Sequence, residues 1–394
     1  MRADIIAPKV GDQIMNLDYF NLDAFLRPEE KALRDTIRQF VDERCVPHIM
    51  EWFENETLPR ELSREFGQLG IFGAELPEYG GVSPIGYGLI CQELERGDSG
   101  LRSFASVQNS LVMFPIHDYG SPAQQQEWLP RLASGEAIGC FGLTEPDHGS
   151  DPGGMETTAR FANGQWTLNG SKAWITNAPT CDVAVIWAKT GDDPSSIRGF
   201  LVPRGTPGFE TAPIKHKLSM RASNTGLIYL NNCVVPEEFR LPGAAGLQGP
   251  LRCLTEARYG ICWGTVGAMM SCVDTAVEYA RTRTQFGQPI GKFQLIQEGL
   301  TEIVTHLVSA QLQAYQLGRL KESGQLRYQQ VSLTKRHNCA VARTVAARAR
   351  SILGASGITL EYPPIRVMAN LESVYTYEGT HEIHTIVVGD DLMK

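Results

Sequence analysis

The chain has 394 residues, 42% of them apolar and 20% charged, with a formal net charge of −8. A chain of this length buries a large core and suits two or three domains. Its excess of acid offers no basic stripe to nucleic acid, although one basic pocket for a phosphorylated small molecule is still allowed.

The nine cysteines are scattered, odd in number and free of any Cys-x-x-Cys pair. They argue against a disulfide framework or a zinc site and for reduced, buried thiols in a cytosol. The start, Met1-Arg2-Ala3-Asp4-Ile5-Ile6, lacks the apolar core of a secretory signal and carries acid early. A cytoplasmic location is therefore expected. The uncharged stretch Tyr259 to Val273 is too short and too broken by glycine to span a bilayer, so no membrane insertion is expected and it reads as a buried helix.

After an extended leader, Arg27-Pro28-Glu29-Glu30 opens a helix, since proline and acids suit a first turn. Leu33, Ile37, Phe40 and Val41 recur at helical spacing. Helical text runs to about Ser134, broken at Pro77-Glu78-Tyr79-Gly80-Gly81 and near Tyr119-Gly120-Ser121-Pro122. From Phe141 the pattern becomes β: residues 166–176 alternate around Asn169-Gly170, which predicts a hairpin there. Val183–Trp187, Gly199–Val202 and Gly226–Leu230 read as further strands, ending near Pro242-Gly243. Helices return from Leu251 to Leu353, with Ile303, Val304, Leu307 and Ala310 on an inward stripe, and suggest an antiparallel bundle. The predicted architecture is α+β and mostly α: a helical domain over 1–140, a β-barrel-like or sandwich domain over 141–245, and an antiparallel four-helix bundle over 246–394. No Gly-x-Gly-x-x-Gly follows a strand, which counts against a Rossmann site.

Four segments carry candidate chemistry. Residues 141–151 offer small residues, hydroxyls and backbone N–H groups to a heterocycle or phosphate. Trp174-Ile175-Thr176 adds an aromatic face and a hydroxyl. Arg283-Thr284-Gln285-Phe286-Gly287 joins a phosphate-binding guanidinium to a ring. Tyr377-Glu378-Gly379-Thr380 sets one carboxylate beside a glycine, as removal of a proton next to a thioester requires. Each segment alone also reads as ordinary structure: an interdomain turn, a core tryptophan, a helix cap, a polar loop.

Taken in order, the four resemble the acyl-CoA dehydrogenase family over nearly the whole chain, and the likeness is greatest to its glutaryl-CoA dehydrogenase branch. That likeness rests on Glu93-Leu94-Glu95-Arg96-Gly97-Asp98-Ser99-Gly100, on Arg102-Ser103-Phe104-Ala105-Ser106-Val107-Gln108, on Ala257-Arg258-Tyr259-Gly260-Ile261, and on residues 376–384. The resemblance implies the three-domain fold of that family and noncovalent FAD. Phe141, Leu143, Thr144, Gly149, Ser150, Trp174, Ile175, Thr176 and Thr380 would meet the flavin. Arg283, Phe286 and Gln294 would reach a neighbouring subunit's cofactor in a homotetramer. Ser351, Gly354 and Ala355 would meet the diphosphate. Here Gly354-Ala355-Ser356-Gly357 replaces the family's frequent Gly-Gly-Asn-Gly, and Ser351 a frequent Gln, which shifts the weight to backbone contacts.

The same resemblance implies that Glu378 is the base. Arg102, with Ser103 and Ser106, would bind the distal carboxylate of glutaryl-CoA, and Glu95 would hold Arg102. Ser150, Arg258, Tyr377 and Gly379 complete the implied substrate site. The expected reaction is α,β-dehydrogenation, then decarboxylation to crotonyl-CoA and carbon dioxide, with electrons passed to an electron-transferring flavoprotein. The alternatives are a dehydrogenase for another short acyl-CoA, or one that releases glutaconyl-CoA.

Overall fold

The computed structural model describes residues 18–394. Most of the extended leader expected before Arg27 lies outside the described residues, as does the stretch Met1 to Ile6. Helix α1 (Pro28–Phe40) opens where the proline and acids point, and the Glu30 carboxylate accepts the Arg27 backbone N–H at 2.9 Å. Then come α2 (Ile49–Glu54), α3 (Leu62–Gln68), α4 (Pro84–Gly97), α5 (Ser99–Ser106), α6 (Phe114–Tyr119) and α7 (Pro122–Ala133). A π-type turn over Val107–Met113 joins α5 to α6 and carries buried Gln108. The Gln108 amide donates to the carbonyls of Leu132 and Ala137 and accepts the Gly139 N–H at 2.9 Å, so one side chain fastens the helices to the first strand.

Strands β1 (Gly139–Gly142), β2 (Thr158–Ala162), β3 (Gln165–Thr176), β4 (Val183–Lys189), β5 (Ile197–Pro203), β6 (Phe209–Pro213) and β7 (Thr225–Pro236) form one curled sheet. β3 pairs antiparallel with β2 and β7, and β7 carries β6. β4 takes β5 antiparallel and β1 parallel, and meets β2 through the pair Thr158 and Lys189. The apolar run Val183-Ala184-Val185-Ile186-Trp187 in β4 is explained by burial on both faces. Ala184 and Ile186 point into the sheet's own core, while Val183, Val185 and Trp187 join the helical core.

The hairpin lies elsewhere than predicted. β3 passes through Asn169-Gly170 without turning, with only a register irregularity between Leu168 and Gly170. The turn is Asn163-Gly164, between the paired residues Ala162 and Gln165, with φ of 53° and 79°. A two-residue loop of this kind requires positive φ at both central positions. Gly170 serves an irregularity instead: a Cβ there would lie 2.5 Å from Thr157 Oγ1.

The C-terminal helices are α8 (Gln248–Thr282), α9 (Gln294–Glu322), α10 (Tyr328–Ile352), α11 (Pro363–Thr376) and α12 (His381–Leu392), packed mainly around α8 and α10. Ile303, Leu307 and Ala310 are buried as expected, and Val304 packs at the margin. By length and composition α8 is the one described helix that could cross a membrane, but 72% of its most apolar window is buried inside the fold. A short hairpin, β8 (Thr284–Gln285) with β9 (Gln288–Pro289), links α8 to α9. All nine cysteines are free and buried.

Candidate active site

Helix α11 ends at Thr376 with Tyr377 as its cap, and Thr380 caps the start of α12 by accepting the Ile383 N–H at 3.2 Å. Between them Glu378 and Gly379 both have positive φ, 52° and 92°. Glycine takes that conformation freely, whereas glutamate is strained in it by ~1 kcal/mol. Three cationic contacts hold the strained turn. Lys335 Nζ donates to the carbonyls of Tyr377 and Gly379, each at 2.9 Å, and Arg258 Nε donates to the Glu378 carbonyl at 2.7 Å. Below the turn His384 is fully buried, and burial with the nearby cations pushes its pKa down to about 2, so the ring is neutral.

The carboxylate so placed is incompletely satisfied: Glu378 Oε2 is shielded from solvent and has no hydrogen-bond partner. Burial raises the Glu378 pKa, while Arg102, Lys335 and Arg258 pull it partly back. Such a group is a stronger base than an exposed carboxylate. Lys335 shows the converse effect, since burial lowers its pKa.

Arg102, fully buried on α5, lies beside this turn. Its Nε donates to Glu95 Oε2 at 2.6 Å, one terminal nitrogen donates to the Tyr377 hydroxyl, and Ser99 donates to the other Glu95 oxygen at 2.8 Å. Burial lowers the Arg102 pKa, but Glu95 and Tyr377 more than offset this and keep it charged. The second terminal nitrogen, Nη1, is buried with no partner, as is Ser106 Oγ on the same helix. Ser103 is also buried there. Asp98, the other acid near Arg102 in sequence, is occupied by Arg366 and Asn370.

The second group of residues surrounds β1 and the end of β3. Phe141 and Leu143 are buried, and Thr144 is half-buried, its carbonyl accepting the Ala173 N–H at 2.9 Å. Lys172, also buried, donates to the Leu143 carbonyl at 3.1 Å and to Glu145 at 2.8 Å. Glu145 in turn accepts the N–H groups of Glu156 and Thr157. A register shift between Lys172 and Ile175 turns Trp174 outward at φ 62°, leaving it 64% exposed between buried Ala173 and Ile175. The ordinary expectation of a core tryptophan is thus reversed. Half-buried Thr176 follows, and Gly149 and Ser150 lie on an exposed turn.

The third group stands apart, at the far end of α8. Arg283 and Gln294 are exposed, and Phe286, at φ 51° on the tip of the short hairpin, is 93% exposed. Ser351 is exposed in the last turn of α10, and Gly354 (φ 59°) and Ala355 are exposed on the turn that follows, which Ser356 ties to Tyr279 of α8.

The structure therefore joins Glu378, Tyr377, Gly379, Arg258, Arg102 and Glu95 in one cluster, and keeps Arg283, Phe286, Gln294 and residues 351–355 out of it. Sequence reasoning missed Lys335 and Lys172. The available signal was position: Lys335 shares a helical face with buried Val331 and Cys339, where a solvated lysine does not belong.

Models of the N-terminal, middle and C-terminal domains of acyl-CoA dehydrogenase match residues 27–136, 140–233 and 244–393. The chain belongs to the acyl-CoA dehydrogenase family. It is 33% identical over 371 residues to the short-chain specific acyl-CoA dehydrogenase, mitochondrial, of Rattus norvegicus, covering 92% of this chain and 90% of that protein. To the glutaryl-CoA dehydrogenase of Desulfococcus multivorans it is 34% identical over 383 residues, covering 94% and 98%. The solved glutaryl-CoA dehydrogenase of Mycobacterium smegmatis, in complex with FADH2, superposes with a TM-score of 0.94 at 49% identity, covering 95% of this chain and 97% of that one. An acyl-CoA thioester is the substrate that fits this family.

Proposed function

We propose that this acyl-CoA dehydrogenase oxidises and decarboxylates glutaryl-CoA. The observation that carries the substrate choice is the Arg102 guanidinium, fully buried beside the base turn with Nη1 unpartnered. A buried donor without an acceptor is costly, and so is a buried carboxylate without a cation. A five-carbon diacid thioester satisfies both groups, with Ser103 and Ser106 close by to accept or donate. The likeness to glutaryl-CoA dehydrogenases of two bacteria supports the same choice.

FAD is the cofactor. The exposed face of Trp174, the half-buried hydroxyls of Thr144 and Thr176, and the small residues of the 141–150 segment fit a planar, hydrogen-bonding ring. Phe141, Leu143, Gly149, Ser150, Ile175 and Thr380 complete that contact. When bound, FAD accepts the hydride that leaves the β-carbon. This chain's Arg283, Phe286 and Gln294, projecting into solvent with Ser351, Gly354 and Ala355, serve the cofactor of a neighbouring subunit in a homotetramer. An electron-transferring flavoprotein takes the electrons onward.

The remaining steps belong to the protein. Glu378 removes the α-proton, and its own backbone N–H stabilises the developing enolate oxygen. Arg102 holds the distal carboxylate, while Glu95 and Tyr377 hold Arg102. Once the Cα–Cβ bond is unsaturated, the Cγ–carboxylate bond breaks and its electron pair enters the dienolate as carbon dioxide departs. Protonated Glu378 then returns the proton to the γ-carbon, giving crotonyl-CoA. Replacing Arg102 by Ala separates this reading from a short-chain one: preference for glutaryl-CoA over butyryl-CoA should vanish. An unchanged preference would make Arg102 a structural residue and favour the short-chain likeness.

A further inference from the structure

Gly260, Gly264 and Gly267 lie on the buried stretch of α8, and their missing side chains have different consequences. A Cβ on Gly267 would stand 1.8 Å from the Gln92 carbonyl oxygen of α4, a collision between backbones. That glycine is a requirement of helix packing. A Cβ on Gly260 would meet Cys91 Sγ at 3.1 Å. A Cβ on Gly264 would stand 2.0 Å from Glu95 Oε2 and 3.1 Å from Arg102 Nε. Those are the two atoms of the 2.6 Å ion pair, and the three nearest neighbours of that Cβ are all side-chain atoms of Glu95 and Arg102.

The Glu95 carboxylate lies in the space that any other residue at 264 would fill. It has no exposed position to retreat to: Glu95 is 1% exposed and Arg102 is fully buried. Its second oxygen is already held by Ser99. A methyl group at 264 would fold in only by pushing the carboxylate away from Arg102 Nε. The guanidinium would then lose the contact that fixes its plane, and Nη1 would lose its aim.

We infer that Gly264 is a specificity-determining position, which seats Arg102 through Glu95 by leaving a slot in α8 empty. It acts as a positioning residue for thioesters that carry a distal carboxylate. The inference rests on the assignment of Arg102 to that carboxylate. It distinguishes Gly264 from Gly267, although both are buried glycines on one helix.

The test compares kcat/KM for glutaryl-CoA and butyryl-CoA in the FAD-loaded wild type, Gly264→Ala, Glu95→Asp and the double variant, with melting temperatures alongside. The glutaryl-to-butyryl ratio should fall on the order of 30-fold or more in Gly264→Ala, because a buried charge pair has been displaced. The double variant should recover part of that ratio, since the shorter Asp withdraws the carboxylate from the added methyl. A ratio unchanged in Gly264→Ala, or a double variant no better than Gly264→Ala, would overturn the inference. If Gly264→Ala fails to fold, a double variant that folds and keeps a glutaryl preference supports the slot, and one that also fails to fold overturns it. A wild type with no glutaryl preference would sink the Arg102 assignment and this inference with it. A wild-type preference that Gly264→Ala retains would sink the inference alone.

Discussion

Glu378 occupies a backbone conformation that costs it energy, and the groups that hold it there also set its charge. Lys335 and Arg258 bond the carbonyls of three successive residues, so the same cations that fix the turn also lower the cost of ionising the buried carboxylate. Replacing Glu378 by Gln should leave acyl-CoA binding intact and slow anaerobic flavin bleaching by about 10³-fold; bleaching at the wild-type rate would contradict its role as base. The base acts only when deprotonated and its pKa is raised, so the bleaching rate should fall as pH drops through a value above the ordinary carboxylate range. Besides Lys335 and Arg258, the groups facing it are Arg102, Tyr377 and neutral His384, with Glu95 behind Arg102. Lys335→Met removes one of those cations and should move this limb to higher pH, as a pH series of bleaching rates would show. Glu378 was legible because its turn is a contiguous motif. Lys335 was not, because its partners are backbone carbonyls about forty residues away, which leave no trace in side-chain pattern.

At the scale of elements, the end of β3 has an irregular register that buries Lys172 and exposes Trp174. Lys172 ties the Leu143 carbonyl to Glu145, and removing one member of a buried ion pair strands the other. Lys172→Met should lower stability by about 3 kcal/mol and reduce FAD retention, measured by melting and by the flavin-to-protein ratio; unchanged values would contradict the link. The strands β4, β5 and β7 and the helices from Leu251 to Leu353 were legible from apolar pattern, β4 as a continuous apolar run, whereas α11 and α12 lie beyond the stretch read as helical. The hairpin was misplaced because the chain holds two Asn-Gly pairs, and residue type alone does not say which one turns. Alternation around Asn169-Gly170 reflects one long strand, and the turn formed where β2 and β3 find their register. Gly267→Ala should destabilise the α4–α8 packing by ~3 kcal/mol through the backbone collision, with both substrates affected alike.

For the whole molecule, the fold brings the turn between α11 and α12, which carries Glu378, against Arg102 of α5. Chain order alone does not reveal that convergence: Arg102 and Tyr377 are 275 residues apart and hydrogen-bonded. Phe286 projects from the fold with 93% of its surface exposed, touching the Phe293 ring edge-to-face at 6.0 Å. Phe286→Asp should leave the monomer fold intact while weakening assembly and FAD retention, seen by light scattering and flavin content. An unchanged assembly with full flavin would place Phe286 outside any subunit contact. The most direct measurement is anaerobic addition of glutaryl-CoA to the FAD-loaded protein, following flavin absorbance and product mass together. Rapid bleaching with crotonyl-CoA and carbon dioxide as products is the expected result. Bleaching by butyryl-CoA but not glutaryl-CoA, or glutaconyl-CoA as the sole product, would contradict it.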